Sequence, residues 1–293
     1  MMKRLVIGRL LTHGNKYSWL KNDIIIQYRQ CSLSLLLIFV HFIVYILKSN
    51  MHIKRPILFA IEGNLAVGKS TIISKIQEFY GEDCISFPEP VALWSNYHSS
   101  LSARNQIIRW GQSLNPYNLL HQNILNPSKF SFPMCMETLS SAAQAQLLSK
   151  NNSDKVLAVI ERCTMSTVDV FASISSREMT TEEKQVIDRV YENVSSFTPD
   201  PDVIIFLDAD TSTILQRIVQ RNRTEEMNTN DSYICQIEQK YQNMKSILQE
   251  EKAIAVETVS TTGVTIDKVF SNVILIIEKY LNLEESYTSQ TSQ

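Results

Sequence analysis

Five short apolar runs punctuate the chain from residue 57 onward: Ile57–Ile61 (ILFAI), Cys84–Phe87 (CISF), Val156–Ile160 (VLAVI), Val203–Leu207 (VIIFL) and Ile254–Val256 (IAV). None alternates with polar residues, and a strand without alternation is one buried on both faces. The stretches between them read as helices. Ile72, Ile73, Ile76, Phe79 and Tyr80 recur at helical spacing, with Gly81 where a C-cap belongs. Ile234, Ile237, Tyr241, Met244 and Leu248 form a second stripe, and Ile266, Phe270, Val273, Ile277 and Leu281 a third. Strands separated by helices predict an α/β domain, a parallel sheet with helices on both sides. Beyond Leu281 the polar tail at 283–293 is expected to fray. With no internal repeat or linker, residues 51–282 read as a single domain.

The first fifty residues are different material. They carry seven basic residues (Lys3, Arg4, Arg9, Lys16, Lys21, Arg29, Lys48) against Asp23 alone, a net +6, which leaves −8 for the rest of a chain whose total is −2. Leu33–Leu47 is apolar except for Ser34, His41 and Tyr45. A spanning helix wants about 20 such residues, so a signal-type or interfacial segment fits as well, and membrane contact is expected only if residues 1–50 are retained. The basic, acid-poor start also has the look of a mitochondrial transit peptide. The reading preferred is an N-terminal extension with Met51 as the working start.

Composition removes several classes. At 44% hydrophobic and 20% charged, with 7 Gly and 8 Pro in 293 residues, the chain is neither collagen-like nor disordered. A charge of −2 argues against a protein that coats nucleic acid. Cys31, Cys84, Cys135, Cys163 and Cys235 are widely spaced, without a Cys-x-x-Cys pair, and read as reduced thiols rather than a disulfide framework or zinc site. A cytoplasmic location is expected, with the mitochondrion as alternative.

Gly63-Asn64-Leu65-Ala66-Val67-Gly68-Lys69-Ser70 matches G-x-x-x-x-G-K-[ST], follows a strand and opens a helix that continues with Thr71. The glycines let backbone N–H groups curl around a phosphate, the helix N-terminus adds partial positive charge, Lys69 can reach the β- and γ-phosphates of ATP, and Ser70 can ligate Mg²⁺. Glu89, between Pro88 and Pro90, follows the second strand. Ligands of parallel sheets bind at the carboxyl ends of strands, so Glu89 is a candidate base for an attacking hydroxyl, or a solvated residue of a proline turn. Glu161 and Arg162 end the third strand. They can hold Mg²⁺ through water and brace a transferring phosphoryl, or form a structural ion pair. Arg217, Arg221 and Arg223 can close over polyphosphate, or merely complement a helix dipole.

Taken together, IEGNLAVGKST, PEPVALW, ERCTMSTVDVFA and RIVQRNRTEE resemble, in order and spacing, the motifs of the deoxynucleoside kinase family, over about residues 53–282. The resemblance implies a P-loop three-layer sandwich with a five-stranded parallel sheet, a homodimer, and Mg²⁺-dependent transfer of the ATP γ-phosphate to the 5′-hydroxyl of a deoxynucleoside in nucleotide salvage. It makes Glu89, Glu161 and Arg162 catalytic, with the choice of base between the two glutamates open. It implies that Trp94 and Phe171 line and stack on the base, that Glu226 holds the sugar 3′-hydroxyl, and that Arg217, Arg221 and Arg223 form a lid over ATP. Departures gather in the nucleoside pocket. Cys163 replaces a usual Ser, and Ile124 falls near a usual Tyr. Cys135 occupies the position of the base-pairing Gln, Ala142 that of an Arg or Met, and Thr167 that of an Asp or Ala. The expectation is loose base discrimination with a lean towards pyrimidines, thymidine included. Two rivals remain: a thymidylate-type monophosphate kinase, against which the lack of basic residues in PEPVALWSN speaks, and a nucleotide-binding module without turnover.

Overall fold

The computed structural model describes residues 55–95, 118–152, 154–223, 226, 229–251 and 254–291. The apolar run Leu33–Leu47, the start at Met51, and Cys31 lie outside them. Strand β1 (Ile57–Gly63) leads through the glycine loop into α1 (Lys69–Tyr80), then β2 (Cys84–Phe87) and the short α2 (Val91–Ser95). After α3 (Leu119–Leu125) and the long α4 (Pro127–Lys150) comes β3 (Leu157–Glu161). The helical segment α5 is assembled from Thr164–Ser166, a π-helical stretch Thr167–Ala172, and Ser173–Ser175. Next come α6 (Thr181–Ser195), β4 (Val203–Asp208), α7 (Thr211–Arg221), α8 (Asp231–Glu251), β5 (Ala255–Ser260) and α9 (Ile266–Thr291).

All five strands are parallel, in the order β2-β3-β1-β4-β5. The central β1 pairs Ile57 with Leu157 on one side and Phe59 with Val203 on the other. Its alternation divides the core into two layers. Ile57, Phe59 and Ile61 pack against Ile72 and Ile76 of α1 and Val273 and Ile277 of α9, whereas Leu58 and Ala60 pack with Ile204 and Phe206 against Ile237, Tyr241 and Met244 of α8. Each aliphatic side chain so buried contributes roughly 1.5–3 kcal/mol. The sandwich of helix, sheet and helix is the expected architecture.

Three sequence expectations shift. β5 runs to Ser260 instead of ending at Val256, because an edge strand with one ladder half-buries its residues and its polar Thr258 and Ser260 carry no apolar signal. Phe79 and Ile266, read as core, are exposed at helix ends; Phe79 stacks edge-on against Tyr80 and Phe270. The final helix continues past Leu281 to Thr291, where fraying was expected. Gly81 does cap α1, with φ 55°.

Two glycines with positive φ differ sharply in their surroundings. Gly63 has φ 134°, and a Cβ there would lie 2.3 Å from the Leu207 carbonyl oxygen, so the β1–β4 contact tolerates no side chain. Gly81 has φ 55° with nothing within 4 Å. Gly63→Ala is expected to lower the unfolding free energy by about 3 kcal/mol or more, and Gly81→Ala by only about 1–2 kcal/mol. Urea denaturation checks this; equal losses would contradict the account.

Candidate active site

The glycine loop lies at the carboxyl end of the central strand, between the neighbours β3 and β4. Ala66 (φ 51°) and Gly68 (φ 104°) turn the backbone, and no side chain caps the α1 N-terminus. Not every loop residue faces the opening. Val67 borders the cleft while packing into the core, whereas Asn64 lines neither cavity and braces the loop, its Nδ2 donating to the Ile234 carbonyl at 3.0 Å while its Oδ1 accepts from Leu65 N–H at 2.8 Å. Lys69 Nζ donates to the carbonyls of Gly63 (3.3 Å) and Asn64 (2.8 Å). Burial, reinforced by the Arg162 charge, brings its ammonium down to about 8. Ser70 Oγ donates to Glu161 Oε1 at 3.2 Å. Arg217 underpins the loop through Thr261 (2.9 and 2.8 Å) and the Val67 carbonyl (3.4 Å). A cleft of about 490 Å³ is lined by Gly68 through Thr71 together with Glu161, Arg217 and Arg221.

At the carboxyl ends of β2 and β3 the charged residues interlock. Arg162 adopts a left-handed backbone (φ 64°), uncommon for a residue with a side chain and found where the surroundings over-determine it. Its Nε donates to Glu89 Oε1 at 3.1 Å and its Nη1 to the Gly63 carbonyl at 3.2 Å and to the Tyr241 hydroxyl; Phe171 covers one face, 4.2 Å from Cζ. Arg162 therefore pairs with Glu89, not with its neighbour Glu161. Glu161 Oε2 accepts the Glu89 backbone N–H at 3.3 Å. Burial pushes the Glu89 carboxyl upward, with Glu161 adding to the rise and Arg162 and Lys69 opposing it. For Arg162 burial acts downward, but Tyr241, Glu89, Glu62 and Glu161 outweigh it and the guanidinium is held charged. Glu89 is thus no solvated turn residue.

A second cavity of about 660 Å³ adjoins the first at this cluster. Glu89 and Arg162 line it along with Trp94, Ile124, Cys135, Thr167, Phe171, Arg223 and Glu226, so every residue expected in the nucleoside pocket except Ala142 and the core-buried Cys163 reaches one space. Ala142 is buried on α4 and does not line the cavity. Arg223, expected over ATP, lines this cavity instead, 3.7 Å from Glu226. Arg221 also holds Glu226, through Nε at 3.0 Å.

The positions expected to read the base carry little directed polarity. Burial pushes the Cys135 thiol up to about 12, which keeps it neutral. The Thr138 hydroxyl donates back to Met134 and Cys135 carbonyls, and that of Thr167 to the Cys163 carbonyl. Sequence reasoning missed Thr138, Arg177, Tyr233 and Gln236 in this lining. Tyr233 and Gln236 stand three apart on α8, a spacing that marks one helix face, but the adjoining apolar stripe marks the same helix as core.

The family profile for deoxynucleoside kinases matches residues 59–282. The chain belongs to the deoxynucleoside kinase family. It is 30% identical to human deoxycytidine kinase over 193 residues, covering 63% of this chain and 73% of the human one. Mouse deoxycytidine kinase is 29% identical over the same shares, and Xenopus laevis deoxycytidine kinase 1 is 27% identical over 62% and 71%. The chain is an ATP-dependent deoxynucleoside kinase of the P-loop α/β fold. Its glycine loop and the Glu89–Arg162 cluster are joined at the Gly63 carbonyl, and that cluster lines the larger cavity. Among the described residues no helix is long and apolar enough to cross a membrane, and no group of three or more His, Cys, Asp or Glu is poised to hold a metal by itself.

Because burial holds the Lys69 ammonium down at about 8, polyphosphate bound beside it is expected to restore the charged form. Calorimetric titration with Mg·ATP at pH 8 in buffers of different ionisation enthalpy is expected to show uptake of roughly half a proton. Lys69→Met removes the uptake; a buffer-independent enthalpy for the unmodified chain would contradict it.

Proposed function

We propose that this kinase transfers the ATP γ-phosphate to the 5′-hydroxyl of a deoxynucleoside held in the larger cavity, with Glu89 as the base and Arg162 as the phosphoryl contact. The observation that carries this reading is the Glu89–Arg162 pair at the junction of the two cavities, with Glu161 on the phosphate side and hydrogen-bonded to the Glu89 backbone. A nucleoside base stacks on Phe171 beside Trp94, and Glu226, held by Arg221, takes the sugar 3′-hydroxyl. The 5′-hydroxyl then meets Glu89, which accepts its proton as the oxygen attacks. Lys69, Arg217, Arg221 and the uncapped α1 N-terminus receive the ATP phosphates.

Ser70 and Glu161 fit Mg²⁺, since their oxygens lie 3.2 Å apart beside the loop and one or two protein oxygens, completed by water and phosphate, suit that ion. When bound, Mg²⁺ draws negative charge off the phosphate oxygens. The catalytic domain is taken as residues 51–282 and the working form as a homodimer, as the family resemblance implies.

Discrimination between bases is expected to be loose. At the positions expected to read the base and beside them, a neutral thiol, two hydroxyls whose protons go to their own helix, and an alanine outside the lining offer no fixed donor–acceptor pattern. Differences between bases of roughly tenfold to a hundredfold follow, with a lean towards pyrimidines. The full chain, given Mg·ATP and in turn deoxycytidine, thymidine, deoxyuridine, deoxyadenosine, deoxyguanosine and thymidine monophosphate, tests this by chromatography. Product from pyrimidine nucleosides is expected; product from the monophosphate alone would sink the reading.

A base must be ionised to act, so a carboxyl shifted upward loses activity as the pH falls through a value above the ordinary glutamate range. The acid limb of kcat is expected there. Glu89→Gln should abolish the limb and lower kcat by about 10²–10⁴ while leaving ATP affinity nearly unchanged. An unaltered pH profile in the variant would transfer the role to another group.

A further inference from the structure

The contact that completes the cage around Arg162 comes from outside every phosphate-binding and nucleoside-binding motif. Tyr241 sits in the apolar stripe of α8, 1% exposed, its ring edge-on to Phe206 (5.8 Å) and Phe171 (6.3 Å). Phenylalanine would fill that space equally well. A hydroxyl placed in such surroundings costs about 1–3 kcal/mol unless it is bonded, and this one is bonded twice, to Arg162 Nη1 and to Glu62 Oε2 at 3.0 Å. Glu62 is fully buried on the β1 face it shares with Leu58 and Ala60, and its Oε1 accepts the Cys163 N–H at 2.7 Å.

The direction of these bonds is forced. Arginine only donates, so the hydroxyl accepts from Nη1 and gives its single proton to Glu62. Of the five guanidinium N–H groups, the one on Nε goes to Glu89 and the two on Nη1 to Gly63 and Tyr241. The two on Nη2 have no protein acceptor among the described residues. With two edges bonded and Phe171 over one face, the group has a single open edge.

We propose that Tyr241, its hydroxyl oriented by Glu62, is a positioning residue for phosphoryl transfer: it locks the Arg162 guanidinium so that the Nη2 edge faces the reacting groups. This rests on the role given above to Arg162. Without the hydroxyl, Nη1 keeps only the Gly63 carbonyl, and the arginine can settle in orientations that point Nη2 elsewhere. Tyr241 lines neither cavity, so substrate affinities are not its concern.

The test uses the full chain with deoxycytidine and Mg·ATP. Tyr241→Phe, which removes one oxygen and keeps the ring, is expected to lower kcat about tenfold to a hundredfold while both KM values stay within about threefold. In an Arg162→Lys background the same change should lower kcat by no more than about twofold, because the group it positions is gone. Glu62→Gln is the second variant. It retains the acceptor for Cys163 but offers an N–H₂ to the hydroxyl, and should reproduce the kcat loss. Unchanged kcat in either folded variant, equal losses in both backgrounds, or failure of both variants to fold would overturn the proposal. Failure of the functional reading is visible earlier and separately, as no product from the unmodified chain.

Discussion

Burying an arginine among carboxylates organises this molecule. Arg162 stands at the end of an interior strand in a left-handed backbone conformation, and an unpaired charge there would be unfavourable by several kcal/mol. Its partners come from four places in the chain: Glu89 after β2, Gly63 at the end of β1, Tyr241 on α8 and the ring of Phe171 on α5. Each bond ties a different element to the carboxyl edge of the sheet. The same contacts that satisfy the charge thus draw the glycine loop, the carboxylates and the larger cavity together.

This arrangement also separates two kinds of chemistry. On one side of the cluster, Lys69, Arg217, Arg221 and the α1 N-terminus form a positive cleft beside Ser70 and Glu161, suited to polyphosphate. On the other, Trp94 and Phe171 share a cavity with Thr138 and Thr167, whose hydroxyl protons are already taken by helix carbonyls. The first side is rich in directed charge, whereas on the second the expected base-reading positions, Cys135 and Thr167, offer little directed hydrogen bonding. In the proposed reading, phosphate handling is exacting while base recognition rests more on shape and stacking than on donor–acceptor pairing.

Much of this was legible in residue order. Unalternating apolar runs marked β1 to β4, since strands covered on both faces can carry no polar alternation. The loop at 63–70 announced itself through glycines and a lysine whose spacing only a phosphate cradle requires. Motif order also marked Glu89, Glu161, Arg162, Trp94, Phe171 and Glu226, and all but Glu161 line the larger cavity. Less visible was the edge strand β5, half of which is polar. Phe79 and Ile266 misled because helical periodicity continues to a helix end after the packing that gives it meaning has stopped.

By itself, then, the sequence determined the layer architecture, the glycine loop and the family, because each depends on local periodicity or on residues close together in the chain. Which charge pairs with which was decided only by tertiary structure. Glu161 and Arg162 are neighbours, yet the left-handed turn at Arg162 sends its side chain to Glu89, 73 residues away. Arg223 and Arg221 are two residues apart, yet line different cavities, since α7 ends at Arg221. Tyr241 reads as one more apolar position on a helix; that its hydroxyl joins Glu62 to Arg162 depends on contacts made across the sheet, which no spacing along the chain encodes.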